Sequence, residues 1–472
     1  MEIKLFNTLT KRKEVFKPLT GKTVLYYTCG PTVYDYAHIG NFATFVRQDL
    51  LKRVLEYFGF DVKHVMNITD IDDKTIARSK ELGWTLKQLT DFYTKEFLKD
   101  MEALNIKPPT KLVPATSEIP EMIKVISALI EKGYAYVKDG SVYFSVRKFK
   151  EYGKLSGIRI EDLKPGARVD VDEYDKENPA DFALWKKSKK EEIERGIFWE
   201  SPWGKGRSGW HIECSVIALK HLGETIDIHS GGIDLIFPHH ENEIAQSEAY
   251  TGKQFARFWV HCEHILVNEK KMSKSLGNFY TLRDLLEKGY DPIAIRLLFV
   301  SCHYRRQLNF TFESLKQAKK NLEYLKNTIR RLKEVKESED SKEMEEELEK
   351  TKKKFLEYVA DDLDLPKALA VLFEFLHDVN RMLDEKKLSK SSAKKIIDFL
   401  LDIDKILGLR LDDVLREEIP EEILKMLEER EKLRKEKRYE EADIIREKIR
   451  AMGYEVEDTP SSPRVWRRKR YG

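Results

Sequence analysis

Two kinds of chemistry are written into widely separated parts of this 472-residue chain: soft metal ligation and the handling of phosphate. The thiols are Cys29, Cys214, Cys262 and Cys302, and a dense run of further donors reads His239-His240-Glu241-Asn242-Glu243. His239 and Glu243 stand four residues apart and so share one face of a helix. Together with Cys29 and Cys214 they make a four-ligand set. Two thiolates with an imidazole favour zinc over magnesium or calcium. No local CxxC marks such a site, and His240 and Glu241 compete as ligands in the sequence alone. The phosphate chemistry lies in a turn that carries Gly30, Pro31, His38 and Gly40, and in the pentapeptide Lys271-Met272-Ser273-Lys274-Ser275. Glycines at a strand-to-helix junction let a ligand approach the backbone, and the free N–H groups opening the helix favour an anion.

The elements that must position these groups follow from periodicity. Thr23 to Thr28 is a β-branched and aromatic run that reads as a buried strand. Phe42, Phe45, Val46, Leu50, Val54 and Phe58 recur at helical spacing, and Asp61 to Ile68 returns as a second strand. A βαβ unit binds its ligand beyond the carboxyl ends of its strands, where Cys29 and His38 sit. Asp70, Asp72 and Asp73 follow the second strand in a polar turn suited to capping a helix. Downstream, Thr225 to His229 reads as a strand leading into Gly231-Gly232-Ile233-Asp234, Pro238 opens the helix of the donor run, and Phe258 to Val267 is a further strand. Beyond Leu282 the pattern is wholly helical as far as the tail, with Pro366 opening one helix and Tyr454 to Glu457 a short strand-like segment.

A chain of this length exceeds what one core organises, so several domains are expected. Charged residues make up 35% of it while the net charge is only +3, so any nucleic-acid surface has to come from segregated lysines and arginines. Four widely spaced cysteines fit neither a disulfide scaffold nor a compact finger and imply a reducing compartment. The N-terminus has no signal h-region and no apolar run approaches membrane-spanning length, which points to a cytoplasmic protein without membrane attachment. No long coiled-coil seam stands out, and a monomer is expected.

His38-Ile39-Gly40-Asn41 resembles the nucleotide-binding signature of class I aminoacyl-tRNA synthetases, Lys271-Met272-Ser273-Lys274-Ser275 is similar to their second signature, and Cys29-Gly30-Pro31-Thr32-Val33-Tyr34 resembles the cysteinyl-tRNA synthetase family. The family's first signature usually ends in a second histidine. Asn41 stands there in this chain, so any phosphate role of that side chain rests on an amide donor.

The resemblance implies a Rossmann-like α/β catalytic domain with an inserted domain, then a helical stem-contact region and a helical anticodon-binding domain with a small tail. The expected boundaries are 1–106 and 206–268 for the two catalytic halves, 107–205 for the insertion, 269–335 for the phosphate loop and stem contact, 336–415 for a helical bundle and 416–472 for anticodon recognition. It implies zinc on Cys29, Cys214, His239 and Glu243, an amino-acid pocket containing Thr69, Trp210 and His229, and adenosine flanked by Gly231, Gly232 and Asp234. His38, Asn41, Lys271 and Lys274 would act on the phosphates of ATP, which brings Mg2+. The implied reaction joins L-cysteine to tRNA(Cys) through a cysteinyl-adenylate with no editing step. Arg305 is expected at the acceptor stem, and Arg464, Trp466 and Arg467 at the anticodon. Two rivals keep part of this pattern: a ligase joining cysteine to an aminosugar-inositol, which lacks an anticodon-binding end, and a noncatalytic tRNA-binding relative.

Overall fold

The computed structural model describes residues 1–162, 180–336, 342–458 and 463–467. Its centre is a five-stranded sheet in the order Ala256–Cys262, Ile226–Gly232, Thr23–Thr28, Asp61–Ile68 and Lys111–Pro114. Every neighbouring pair is parallel. The spatial order reverses between Thr23–Thr28 and Ile226–Gly232, the place where a doubly wound sheet opens a crevice. Cys29 and Gly30 follow the first of these strands, and Gly231 and Gly232 end the second. The βαβ unit expected from periodicity is present, with the helix Ile39–Tyr57 between its two strands.

The boundary expected at residue 107 falls differently in the sheets. Lys111–Pro114 is the edge strand of the parallel sheet, while an antiparallel sheet of Ala135–Lys138, Ser141–Phe144, Phe182–Lys187 and Gly206–Ser208 takes its last strand from beyond residue 205. Four residues among prolines are too short to display a period, which is why that edge strand is silent in the sequence. Asp73 ties the small sheet to the catalytic half, with Lys186 Nζ at 3.1 Å and Arg207 as a second partner.

Two further expectations are corrected. The chain beyond Leu282 is not wholly helical: Leu308–Phe310 pairs in parallel with Ile265–Val267, because Leu308 and Phe310 bury alternate side chains. The run from Phe258 to Val267 is two strands, Ala256–Cys262 and Ile265–Val267, belonging to different sheets. Two other expected elements are present. Pro366 lies in the first turn of Leu365–Asp384, and Tyr454–Glu457 pairs with Arg464–Arg467 as a terminal hairpin.

One apolar core joins a face of the parallel sheet to the helices up to Val414, a second lies between the sheet and the insertion, and a third holds the segment from Ile423 to Val456. The signature helix Ile39–Tyr57 also buries charge. Asp49 Oδ2 accepts from Arg53 Nε at 2.7 Å and from Arg296 Nη2 at 2.6 Å, and all three side chains are buried.

Candidate active site

Three segments converge where the sheet opens. The Cys29 and Cys214 sulfurs are 3.9 Å apart, and Cys214 arrives on the helix Trp210–Leu222. His239 Nε2 is 3.1 Å from Glu243 Oε1, as the four-residue spacing requires. One ligand atom from each of Cys29, Cys214, His239 and Glu243 lies within 4.8 Å of the others, and all four residues are buried. A second set meets the same criterion: Cys29, His229, His240 and Glu243. His240 Nε2 is 3.3 Å from Cys29 Sγ, and its Nδ1 is 2.8 Å from His261 Nε2.

The donor run is no charged surface turn, since all five of its side chains are buried. Glu241 drops out as a competing ligand, because its carboxylate accepts the backbone N–H groups of Gly153, Leu155 and Ser156 at 2.9, 3.2 and 2.8 Å. Asn242 Oδ1 accepts from the Tyr152 hydroxyl at 2.5 Å. The helix proper begins at Glu241 and not at Pro238. An irregular turn, Ile236–His240 with Phe237 extended, precedes it and turns His239 and His240 inward.

The electrostatics suit a soft cation. Burial opposes ionisation of Cys214, but the hydrogen bond with Cys29 and the neighbouring His239 charge bring the thiol down to about 6. Burial and the Cys214 sulfur push the Cys29 thiol up. Burial also works against charge on Glu243 and on His239. The two nearby imidazoles nevertheless hold Glu243 down at about 2, and Glu243 and Cys214 raise His239 to about 10. His239 stacks under Trp210 with ring centroids 4.3 Å apart, and its Nδ1 meets His211 Nδ1 at 2.8 Å.

Beside this cluster opens a cleft of about 320 Å³ lined by Cys29, His38, Asn41, Trp210, Gly231, Gly232, Asp234 and Lys274, among others. The glycines are there for close approach. A Cβ on Gly30 would lie 1.8 Å from the Asn67 carbonyl oxygen, and one on Gly231 2.6 Å from the His240 ring. His38 caps the signature helix: its Nδ1 accepts from Asn41 N–H at 3.2 Å, and Asn41 Oδ1 accepts from His38 N–H at 3.2 Å. The Lys274 loop closes over this end. Ile39 N–H donates to the Tyr280 carbonyl at 3.0 Å, His38 meets the Phe279 ring edge-on at 5.3 Å, and Lys274 Nζ lies 3.0 Å from Asp35 Oδ2.

Not every expected residue reaches the cleft. Thr69 is buried and donates its hydroxyl to Glu213 Oε2 at 2.9 Å, while His229 is buried and bonded to Glu243 Oε2 at 2.8 Å, so both stand one layer behind the wall. Lys271 is exposed on the edge of its short strand. Arg305, expected at RNA, lies 2.6 Å from Asp362 and covers the Phe6 ring at 4.4 Å, so RNA would have to compete for it. Trp466 is half-buried with Arg330 at 4.8 Å over its ring. The side chains of Arg464 and Arg467 lie outside the described residues. Asp35, Phe279, His211 and His261 were missed in the sequence. Asp35 stands three residues before His38, close enough to the first signature to have been suspected.

The class I (C) tRNA synthetase catalytic domain model matches residues 15–320, and a DALR domain model matches residues 354–412. The Mycobacterium tuberculosis methionyl-tRNA synthetase in complex with methionyl-adenylate superposes with a TM-score of 0.63 at 15% identity, over 84% of this chain and 93% of that one. A putative arginyl-tRNA synthetase from Campylobacter jejuni gives 0.55 at 13% identity, over 84% and 94%. Fold and paired signatures thus define a class I aminoacyl-tRNA synthetase. The cysteinyl-tRNA ligase anticodon binding domain model covers residues 416–467. The cysteine–tRNA ligases of Chlamydia felis and Protochlamydia amoebophila are 48% and 45% identical over 466 residues, 98% of this chain and 97% of each relative. The chain belongs to the cysteinyl-tRNA synthetase family. Among the described residues no helix is long and apolar enough to cross a membrane.

Proposed function

We propose that this protein ligates L-cysteine to tRNA(Cys) through a cysteinyl-adenylate formed from ATP with Mg2+, and that a zinc ion on Cys29, Cys214, His239 and Glu243 selects the substrate thiol. The observation that carries this reading is the convergence of two buried thiols, an imidazole and a carboxylate on one point, beside a cleft that also receives both phosphate signatures. Of the two donor sets, the one with both thiols is favoured. Zinc binds thiolate strongly, and the alternative strands Cys214, brought down to about 6, beside the ion as an unused sulfur. When bound, zinc supplies a Lewis acid that prefers sulfur and lowers the pKa of a coordinated thiol.

The chain's own residues do the rest. Trp210, stacked on His239, lines the cleft together with Cys29. His38 is held down at about 4 by burial, with Lys274 adding to the effect, and is therefore neutral. Its Nδ1 is occupied as an acceptor, so the proton sits on Nε2, which is the donor available to a phosphate oxygen. Lys274, helped by Lys271 from the exposed strand, offsets charge developing on the pyrophosphate leaving group. Gly231 and Gly232, beside Asp234, let the adenosine lie against the strand end. Selection by sulfur affinity occurs at first binding, so no editing step is needed; a pocket relying on shape alone would reject serine by only about a hundredfold. The protein would act as a cytoplasmic monomer, with the terminal hairpin around Arg464, Trp466 and Arg467 reading the anticodon. The match to the anticodon binding domain disfavours the aminosugar-inositol rival.

Metal analysis and cysteine-dependent ATP–pyrophosphate exchange on one preparation test the reading. One zinc per chain with exchange that serine does not support is expected. Metal-free protein with undiminished exchange would refute the zinc role, and no exchange would leave only the noncatalytic relative.

Zinc uptake should also carry a pH signature. Ligands must be thiolate and neutral imidazole. Near neutral pH the Cys29 thiol, pushed up, and His239, at about 10, hold protons that the metal has to expel. Affinity should therefore rise with pH above neutrality and fall steeply below about 6, where Cys214 takes a proton as well. Calorimetric titration in buffers of different ionisation enthalpy reads the release directly, and heats independent of buffer would contradict it.

A further inference from the structure

The helix Leu86–Ala103 and the turn that joins it to Asp73–Glu81 expose large apolar side chains, Leu82, Trp84, Phe92 and Leu98, with Trp84 and Phe92 each 37% exposed. Two of these are aromatic and do not stand alone. The Trp84 and Phe92 rings meet edge to face with centroids 5.5 Å apart, Phe92 meets Tyr36 in the same way at 6.3 Å, and Tyr36 lines the cleft. Lys74 lines the cleft too, with its ammonium 5.5 Å over the Tyr34 ring. A continuous strip of rings therefore runs from solvent to the place where the phosphate signatures meet. A core explanation does not account for it, because both outer rings keep more than a third of their surface in water.

We propose that this strip is the platform on which the unpaired 3′ end of the tRNA stacks as its terminal adenosine enters the cleft. The inference rests on the proposed ligation, since that reaction must bring a single-stranded RNA end to the adenylate. Base stacking on aromatic side chains is the sequence-tolerant way to guide such an end, and every base offers a ring face. The neighbouring charges are largely paired among themselves: Arg78 with Glu81, Lys87 with Asp91, Lys99 with Glu96. Stacking, not phosphate neutralisation, is therefore the dominant contribution, and the strip should add little to the salt dependence of tRNA binding.

The test uses Trp84→Ala, Phe92→Ala and the double variant in the full-length, zinc-loaded protein. Cysteine-dependent ATP–pyrophosphate exchange should stay at the wild-type rate. Transfer of cysteine from the bound adenylate to tRNA should fall by about five- to a hundredfold per ring, with Trp84→Phe recovering most of the loss. Affinity for intact tRNA should drop in the double variant, while affinity for tRNA trimmed of its unpaired 3′ nucleotides should not. Unchanged transfer beside normal exchange would overturn the platform and leave the ligase reading standing; absent exchange in the wild type would sink the ligase reading itself. A wild-type dimer that the double variant dissolves into monomers, with transfer unaffected, would assign the strip to a second copy of this chain and equally overturn the proposal.

Discussion

Replacement of Cys214 by serine is expected to cost the protein its zinc and, with it, most of its cysteine-dependent exchange. Cys214 is buried, its sulfur lies 3.9 Å from Cys29, and its thiol is already brought down to about 6. It is thus the donor best prepared to meet the ion as thiolate. A serine hydroxyl in the same space does not ionise near neutral pH and is a poor zinc ligand. Removal of a supporting hydrogen bond around a metal typically weakens binding by about 10- to 100-fold, and loss of a thiolate ligand should exceed that. Exchange should fall by at least about a hundredfold, and whatever remains should discriminate cysteine from serine no better than shape allows, on the order of a hundredfold. Atomic absorption on the purified variant and exchange with each amino acid check both parts. A variant that retains one zinc and full discrimination would move the metal to the histidine-rich set around His229 and His240.

The largest expected effect on stability lies elsewhere, at Asp49. This carboxylate, on the signature helix, is the shared counter-charge of two buried arginines. Arg296 also donates to the carbonyls of Leu407 and Leu104, at 2.7 and 3.2 Å, and Arg53 donates to that of Asn105 at 2.6 Å. Helix ends from the catalytic half and from the helical bundle therefore meet on one charged cluster. Asp49→Asn keeps the shape and removes the charge, leaving two guanidinium groups in a dry interior. Breaking a buried pair from one side costs about 3–5 kcal/mol, because the stranded charge has no water to return to. Urea unfolding should show a loss of that order with zinc content unchanged. A loss below about 1 kcal/mol would mean that the carbonyls, together with the nearby Asp404 carboxylate, satisfy the arginines.

The same residue illustrates what the sequence hides. Phe42, Phe45, Val46, Leu50 and Val54 announce the signature helix through their spacing, and all are buried. Arg47, Gln48, Asp49, Lys52 and Arg53 are also buried, and no apolar period reveals them, since their burial depends on partners more than 50 residues away. The site divides in a similar way. His239 and Glu243 were legible as a pair, because helical spacing is local. That Cys29 and Cys214 meet them is a property of the sheet order, which reverses between the two strands beside them. Position along the chain could not distinguish Glu241 from a ligand. Three backbone N–H groups from the inserted region do so. Thr69 and His229 stand behind the wall because their polar atoms satisfy Glu213 and Glu243, contacts that link distant segments.

Zinc K-edge X-ray absorption, recorded with and without cysteine, reaches the central claim most directly. An ion held by Cys29, Cys214, His239 and Glu243 should show two sulfur neighbours at about 2.3 Å, with a third appearing when cysteine is added and none when serine is. One sulfur among nitrogens, or a spectrum that cysteine leaves unchanged, would contradict selection of the substrate by its thiol.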